Sequence, residues 1–348
     1  MDSSCVMTFA AAFRKSLLLA AMLLVAAAPA RADNPFGVML WPQQGDGLEM
    51  TLARARGLGV AWFRPPTLYL DRWDGTCPDC GLYVRSGLKL ALVVRNGGED
   101  QPTRRPAVVP ADLTAYRARL AKVLEAWHPA VLVVEASEND PQALTGLGDD
   151  FSGYIAELGA ACAVAHAHGA YCTNGGLTST SIAAAAWLDL LRRGLPDQAC
   201  DFAKRAFYVR GNPDAGAPLC TYRRRADVPP RVAAAALAGA GRLLALYRGA
   251  AIDVVNVHWF IHDARALSQT VDFVQRTTGK PVVSTEIGQW RWDADPNNVR
   301  PLLRAAFAAD MKLVIWYSLE NGHTASLFEP DGRLRPAGWE FQRQMWGK

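Results

Sequence analysis

Two carboxylic acids, Glu138 and Glu286, each follow a short apolar segment and are the strongest candidates for chemistry in this sequence. Glu138 ends the apolar part of LVVEASEND at residues 132–140, and Glu286 ends that of PVVSTEIG at residues 281–288. A buried strand that ends in a carboxyl group places an acid at the edge of a core. Two such acids facing each other across a gap of about 5 Å can serve as proton donor and nucleophile in the cleavage of a glycosidic bond.

The two roles require different charge states, so the surroundings of each acid matter. A proton donor must be kept neutral by burial or by a neighbouring charge, whereas a nucleophile must stay ionised. Arg64, at the end of another apolar segment, is the expected partner that holds a carboxylate charged. Glu135 lies three residues before Glu138, and we expect it to be a structural carboxylate that faces the opposite side or a neighbouring helix.

Eight short apolar segments recur along the chain, with helix-like stretches between most of them. Each is rich in β-branched and aromatic residues, which is typical of strands buried on both faces. They are FGVMLW (36–41), VAWFRP (60–65), LKLALVVRN (88–96), AVLVVEAS (130–137), AYCTNGG (170–176), DVVNVHWF (253–260), PVVSTEIG (281–288) and KLVIWYS (312–318). This alternation predicts a single (β/α)8 TIM barrel. An open doubly wound sheet is the alternative, but no glycine-rich phosphate loop follows the first strand.

Polar and aromatic residues stand at the ends of these segments, where a barrel gathers its functional loops. Taken singly, such a residue is usually a turn residue or a helix cap. Together they predict a sugar-binding site, in which Trp316 offers a stacking face and Asn174 and His258 bind hydroxyl groups. The predicted substrate-binding residues are Trp41, Arg64, Asn96, Asn174, His258, Gln289, Trp316 and Tyr317.

The stretch PVVSTEIGQW resembles the seventh-strand signature of glycoside hydrolase clan A, in which a strand led by Pro ends in Thr/Ser-Glu-x-Gly. FRPP is similar to the second-strand arginine segment of that clan, VNVHWF to the sixth strand and VIWYS to the eighth. The ending LFEPDGRLRPAGWEF resembles the family 39 and family 5 type, so the likeness covers nearly the whole chain after the leader. It implies a retaining glycosidase without metal or organic cofactor, with Glu286 as nucleophile and Glu138 as general acid/base.

The sequence departs from the clan at two strand ends. The clan normally has Asn-Glu at the end of strand four, where this chain has Ser137 and Glu138. Sliding the alignment by one residue would place Asn139 at the acid position and leave no acid/base; we prefer the register that retains Glu138. On strand six, His258 stands in the segment where many clan members have a tyrosine that contacts the nucleophile, and Tyr317 is a candidate to supply that hydroxyl.

Residues 177–252 form a long insertion between strands 5 and 6. Within it, residues 201–231 carry seven Lys and Arg against three Asp, so this part is basic. The functional interpretation is a positive wall beside the cleft for an acidic polysaccharide. The alternative, which we favour slightly, is a solvated arginine-rich surface.

The first 32 residues have the order of a secretory signal. Arg14 and Lys15 precede an apolar run of about 12 residues, which is followed by Ala30-Arg31-Ala32. The run is shorter than the roughly 20 residues that a membrane helix needs, so we expect no stable membrane anchor. We therefore predict an exported protein, periplasmic or extracellular, whose single catalytic domain spans residues 33–348.

Seven cysteines become six once Cys5 leaves with the leader. In an exported protein, disulfides 77–80 and 200–220 are expected, whereas Cys162 and Cys172 fall on a predicted helix and strand and are expected to be buried thiols. Removal of the leader takes three basic and one acidic residue from totals of 37 and 33, which leaves nearly balanced charge and no global attraction to nucleic acid.

The leading hypothesis is an exported glycosidase that acts on a poly- or oligosaccharide. The alternative, motivated by the altered strand-four motif, is a barrel that binds a glycan without cleaving it. A transglycosylase, which excludes water from the second step, is a further alternative.

Overall fold

Eight parallel strands form the centre of the fold, at the positions where the apolar segments predict them. They are β1 (Phe36–Met39), β2 (Trp62–Arg64), β3 (Lys89–Arg95), β4 (Val131–Val134), β5 (Tyr171–Asn174), β6 (Val255–Trp259), β7 (Val282–Ile287) and β8 (Val314–Trp316). The structure, a computed structural model, describes residues 34–41, 47–99, 105–148, 150–320 and 325–347. The predicted leader at residues 1–32 lies outside the described residues.

The strands pair in the order β5-β4-β3-β2-β1-β8-β7-β6, all parallel. Two isolated parallel bridges, Thr173 with Val254 and Leu177 with Val257, join the two ends of this row and nearly close the cylinder. The predicted (β/α)8 barrel is therefore confirmed, and the carboxyl ends of all eight strands meet at one face.

Helices occupy the connections and cover the outside of the barrel. They are α1 (Leu48–Gly57), α2 (Cys80–Ser86), α3 (Leu113–Trp127), α4 (Ser152–Ala167), α5 (Ser179–Arg192), α6 (Pro196–Ala206), α7 (Pro230–Leu237), α8 (Ala240–Tyr247), α9 (Ala264–Thr278), α10 (Val299–Ala308) and α11 (Pro336–Trp346). Asp112 and Asp263 cap the starts of α3 and α9 by accepting hydrogen bonds from backbone N–H groups of the first turn. Within the described ranges, no helix is both long and apolar enough to span a membrane.

Alternation along the strands divides the core into two layers. The side chains that fill the barrel interior are Met39, Ala91, Val93, Val131, Val133, Val254, Val283, Leu313 and Ile315. The opposite faces of the strands pack against the helices in a much larger cluster. Gly37 of β1 allows tight packing inside this arrangement, because a Cβ atom there would overlap Ile315 and the Cβ of Trp62.

Two asparagine side chains reinforce the few backbone hydrogen bonds that cross the seam between β5 and β6. Asn174 donates to the carbonyl of Asn256 at 2.9 Å, and its own carbonyl oxygen accepts from the Asn256 N–H at 2.7 Å. Asn256 accepts in turn from the backbone N–H of Thr285 at 2.9 Å. These amides supply contacts that a regular ladder would make through backbone alone.

The insertion between β5 and β6 contains four α-helices among its described residues. The sequence predicts helices over 182–193 and 231–247, and the structure has α5 there, with α7 and α8 divided near Gly239. It also has α6, which starts at Pro196, and 3-10 turns at Ala217–Thr221 and Arg225–Asp227. Proline at the first helical position is compatible with a helix start, since its missing N–H would have no partner there.

Three disulfides brace the fold. Cys77–Cys80 and Cys200–Cys220 are bonded as predicted. The expectation of buried thiols at Cys162 and Cys172 is wrong, because these residues also form a disulfide. Their Cα atoms lie 5.2 Å apart where α4 packs on β5, a spacing that a disulfide can bridge.

Candidate functional site

Glu286 lies at the carboxyl end of β7, at the face where the loops of the barrel gather. The register between β6 and β7 shifts between the pairs Val283–Asn256 and Glu286–His258, which marks a bulge in the strand. A bulge re-aims the side chains that follow it. Glu286 is 17% exposed at its side chain, so it is partly accessible although its neighbours are buried.

Arg64 holds the Glu286 carboxylate, as the sequence predicts. Its Nη1 atom donates to Oε1 of Glu286 at 2.6 Å and to the carbonyl oxygen of Thr285 at 3.1 Å. The guanidinium is itself almost fully buried, so this ion pair is shielded from solvent. Charges paired at such short range interact much more strongly than exposed pairs do.

The environment keeps Glu286 ionised. Burial alone would raise the pKa of Glu286, but the positive charges of His258, when this ring is protonated, and of Arg64 outweigh burial, and the net pKa lies below its ordinary value of 4.5. Burial lowers the pKa of His258 itself, so this imidazole is neutral near pH 7 and Arg64 is the lasting cation beside the carboxylate. An ionised, partly accessible carboxylate is the state that a nucleophile requires.

His258 connects Glu286 with the end of β4. Its Nδ1 atom lies 3.7 Å from Oε2 of Glu286 and 3.5 Å from the hydroxyl of Ser137, while its Nε2 atom lies 3.3 Å from the hydroxyl of Thr285. Gly176 makes room for the ring: its φ is +112°, and a Cβ atom there would overlap the imidazole. His258 thus lies among the polar groups that surround Glu286.

The side chain of Glu138 does not lie beside Glu286 and His258. Its side chain is fully buried, and Oε1 accepts hydrogen bonds from Nδ2 of Asn174 at 2.7 Å and from the hydroxyl of Tyr247 at 2.6 Å. Tyr247 belongs to α8, on the outer side of the barrel. Burial raises the pKa of Glu138 to about 7, although the hydrogen bonds from Tyr247 and Asn174 lower it. The expectation that Glu138 opens into the cleft is therefore corrected.

Backbone geometry explains why Glu138 turns away. Glu135 and Ser137 both have positive φ, at 67° and 50°, so the regular alternation of β4 stops at this point. As a result, Ser137 is the residue of this segment in contact with His258, and Glu138 turns toward the helices. The alignment that makes Glu138 the acid of the site therefore disagrees with the direction in which its side chain points.

Glu135 is a structural carboxylate, as expected. It is buried beside Arg95, whose Nε atom lies 3.5 Å from its Oε2, and its Oε1 accepts from the backbone N–H of Asn96 at 2.5 Å. It also contacts Glu157 of α4, and burial raises the pKa of both carboxyl groups, that of Glu135 to about 7. This pair holds β4 against α4 rather than serving the site.

Three predicted sugar-binding amides make hydrogen bonds within the protein instead. Asn174 is fully buried and bonds Glu138 and the β5–β6 seam. Gln289 is buried, donates to the Asp295 carbonyl at 2.9 Å and accepts from the Asp295 N–H at 2.6 Å. The side chain of Asn96 donates to the Val108 carbonyl at 2.8 Å. These contacts correct the assignment of the three residues to substrate hydroxyls.

The stacking role predicted for Trp316 is also corrected. This residue is fully buried on the helix side of β8, with its ring 6.0 Å from that of Phe341 and its N–H donating to the Ala325 carbonyl. Tyr317, the next residue, packs against the barrel interior and has the orientation that was predicted for Trp316. A shift of one residue along a strand exchanges the two faces, which accounts for the difference.

An aromatic rim borders the site. The ring of Phe260, just after β6, lies 5.2 Å from Trp290 and 5.5 Å from Tyr317. Trp290 is 37% exposed, and Trp41, at the end of β1, is 41% exposed. Flat, partly exposed rings suit the apolar faces of sugars. Phe260 was not predicted, although its position directly after His258 and Trp259 was the available signal.

The charge of the insertion is partly neutralised. Arg205 pairs with Asp201 and Asp263, Arg223 with Asp197, and Arg224 with Asp227. Lys204, Arg210 and Arg231 are exposed. Most of these arginines therefore fit the interpretation of a solvated arginine-rich surface. In the same described ranges, no group of three or more His, Cys, Asp or Glu residues is arranged to hold a metal ion.

No family model matches this sequence, and none of the curated proteins matches it. Solved structures do. The endo-beta-1,4-mannanase from Thermotoga petrophila aligns with a TM-score of 0.51 and 10% identity over 91% of this chain and 77% of that one. The beta-mannanase from Streptomyces thermolilacinus aligns with a TM-score of 0.50 and 13% identity over 90% of each chain. A protein from Bacteroides thetaiotaomicron, described provisionally as an alpha-L-fucosidase, gives 0.51 and 10% over 93% and 99%. At such low identity the likeness establishes the fold, a (β/α)8 barrel.

Proposed function

We propose that this protein is a glycosidase, with Glu286 as the nucleophile that attacks the anomeric carbon. The observation that carries the proposal is the ion pair between Arg64 and Glu286 at the mouth of the barrel. It keeps a partly accessible carboxylate ionised beside a neutral imidazole. The barrel fold is shared with structures described as mannanases, which makes an oligo- or polysaccharide the substrate class to test first. Fold alone does not specify the substrate.

Export belongs to the same proposal. The leader-like residues 1–32 and three disulfides support secretion to the periplasm or the medium. Lys204, Arg210 and Arg231 of the insertion are exposed, and their positive charges would favour binding of an acidic glycan.

A second candidate function is a barrel that binds a glycan and does not cleave it. The observation that favours it is the enclosure of Glu138 by Asn174 and Tyr247. A retaining glycosidase normally needs a second carboxyl group about 5 Å from its nucleophile to move protons. If the site has lost this group, sugar binding at the aromatic rim would persist without turnover.

The test uses residues 33–348 and the variant Glu286→Gln on a panel of aryl glycosides, neutral glycans including β-mannan, and uronic-acid-containing glycans. Release of phenol or of new reducing ends by the wild type, lost in Glu286→Gln, supports a glycosidase. Calorimetric binding of a glycan without any release supports the binding protein. Absence of both binding and turnover rejects both functions.

A further inference from the structure

The end of β4 places a hydroxyl group, that of Ser137, beside His258 and Glu286. Ser137 and Glu286 contact the same ring nitrogen, Nδ1 of His258, at 3.5 and 3.7 Å. The Ser137 hydroxyl and the Glu286 carboxylate are therefore no more than about 7 Å apart, while retaining glycosidases hold their two carboxyl groups about 5 Å apart. This upper bound is compatible with that separation, so position 137 is the place on β4's end at which a carboxyl group would be introduced to supply a proton donor.

Glu138 cannot take this position without breaking its own contacts. It accepts hydrogen bonds from Asn174 and Tyr247 and is fully buried. Moving it to the site would leave the Tyr247 hydroxyl and the Asn174 amide without this buried acceptor, which is unfavourable because a buried donor without a partner is not compensated by water. Glu138 is therefore a positioning residue that fixes α8 and the β5–β6 seam.

We propose, on the basis of the glycosidase function above, that this site acts on glycosyl groups whose leaving group departs as an anion: a phenolate, carboxylate or phosphate. In the first step an oxygen of Glu286 forms a bond to the anomeric carbon, and the bond to the leaving group breaks with its electron pair remaining on that group. No proton is transferred, so the hydroxyl of Ser137 suffices. In the second step water attacks the anomeric carbon, the Glu286 carboxylate is released, and the proton of water passes to solvent.

When an ordinary glycan is cleaved, the leaving group departs as an alkoxide unless an acid protonates its oxygen. Proton transfer from a positioned acid contributes about 10²–10⁴-fold to such reactions. Within the part of the chain that the structure describes, the side chain from the end of β4 that reaches His258 is the hydroxyl of Ser137, which is far too weak an acid to supply this proton. We therefore expect wild-type turnover to depend steeply on the acidity of the leaving group. This dependence needs no variant and can be measured on the wild type.

The experiment compares hydrolysis of aryl glycosides of graded phenol pKa with that of an alkyl glycoside of the same sugar, in the wild type, Ser137→Glu, Ser137→Gln and Glu138→Gln. We expect a steep dependence in the wild type and in Glu138→Gln. Ser137→Glu should accelerate the alkyl glycoside by about 10²–10⁴-fold, and the neutral, equally long Ser137→Gln should not.

The outcomes separate the inference from the function on which it rests. The inference is overturned if the wild type hydrolyses alkyl and activated aryl glycosides at similar rates and Glu138→Gln loses hydrolysis of the alkyl glycoside. That result would leave the glycosidase function intact. A wild type that turns over no glycoside, even the most activated, overturns the glycosidase function. If Ser137→Glu fails to fold by circular dichroism, the leaving-group dependence of the wild type alone decides.

Discussion

Replacement of Arg64 by Met should change both the stability of the barrel and the pH dependence of its chemistry. Arg64 and Glu286 form a buried ion pair at 2.6 Å. Removing one partner of such a pair typically costs about 3–5 kcal/mol, because the other charge is left uncompensated. A neighbouring cation lowers a carboxyl pKa by about 1–3, so its loss should raise the pKa of Glu286 by a similar amount. Since burial already favours the protonated form, the nucleophile would be neutralised at mildly acidic pH.

The assay is the pH dependence of hydrolysis of an activated aryl glycoside, together with urea unfolding. The acidic limb of the profile should move to higher pH by at least about 1 in Arg64→Met and much less in Arg64→Lys, which keeps the charge. A matched control is Arg276→Met, which breaks the ion pair at 3.3 Å between Arg276 of α9 and Asp189 of α5, on the helices outside the barrel. The control should destabilise the fold without moving the limb. An Arg64→Met profile that coincides with the wild type would refute the assigned electrostatic role.

Three further predictions concern residues around the site. Burial raises the pKa of Glu135 to about 7 and that of Glu157 well above 4.5, so both carboxyl groups favour the folded state at acidic pH and this stabilisation is lost as the pH rises through 7; Glu157→Gln removes one of the two titrating groups and should make this loss shallower in urea unfolding, and an unchanged slope would contradict the contribution of Glu157. Gly176→Ala should lower the melting temperature and the activity, because a Cβ atom would overlap His258; wild-type behaviour on both counts argues against this packing. Trp290→Ala should weaken glycan binding by about tenfold in calorimetry, and equal affinity would exclude a stacking role for this ring.

The barrel could be predicted from the sequence because its strands are buried on both faces. Segments such as AVLVVEAS are rich in β-branched residues and too short for helices. The contact between Arg64 and Glu286 was also predictable, since parallel strands in a barrel bring their carboxyl ends to one face. The disulfide between Cys162 and Cys172 was missed, because sequence spacing does not reveal which face of α4 meets β5.

The direction of side chains at the strand ends was not predictable. Trp316 and Tyr317 are adjacent aromatics, and only the strand register decides which one faces the interior. At β4, positive φ values at Glu135 and Ser137 break the alternation, and neither residue type signals this in the sequence. Asn174 has the type and position of a ligand-binding residue, yet a seam with few backbone bonds uses its amide.

Covalent trapping reveals directly whether Glu286 is an ionised nucleophile at the mouth of the barrel. The protein would be incubated with 2-deoxy-2-fluoro glycosyl fluorides of several sugars and then digested for peptide mass spectrometry. Fluoride leaves without protonation, so the trap requires no acid from the protein. A mass increase of one fluoroglycosyl group is expected on the peptide that contains Glu286, and no such increase is expected in Glu286→Gln. A glycosyl adduct on a different carboxylate would contradict this expectation.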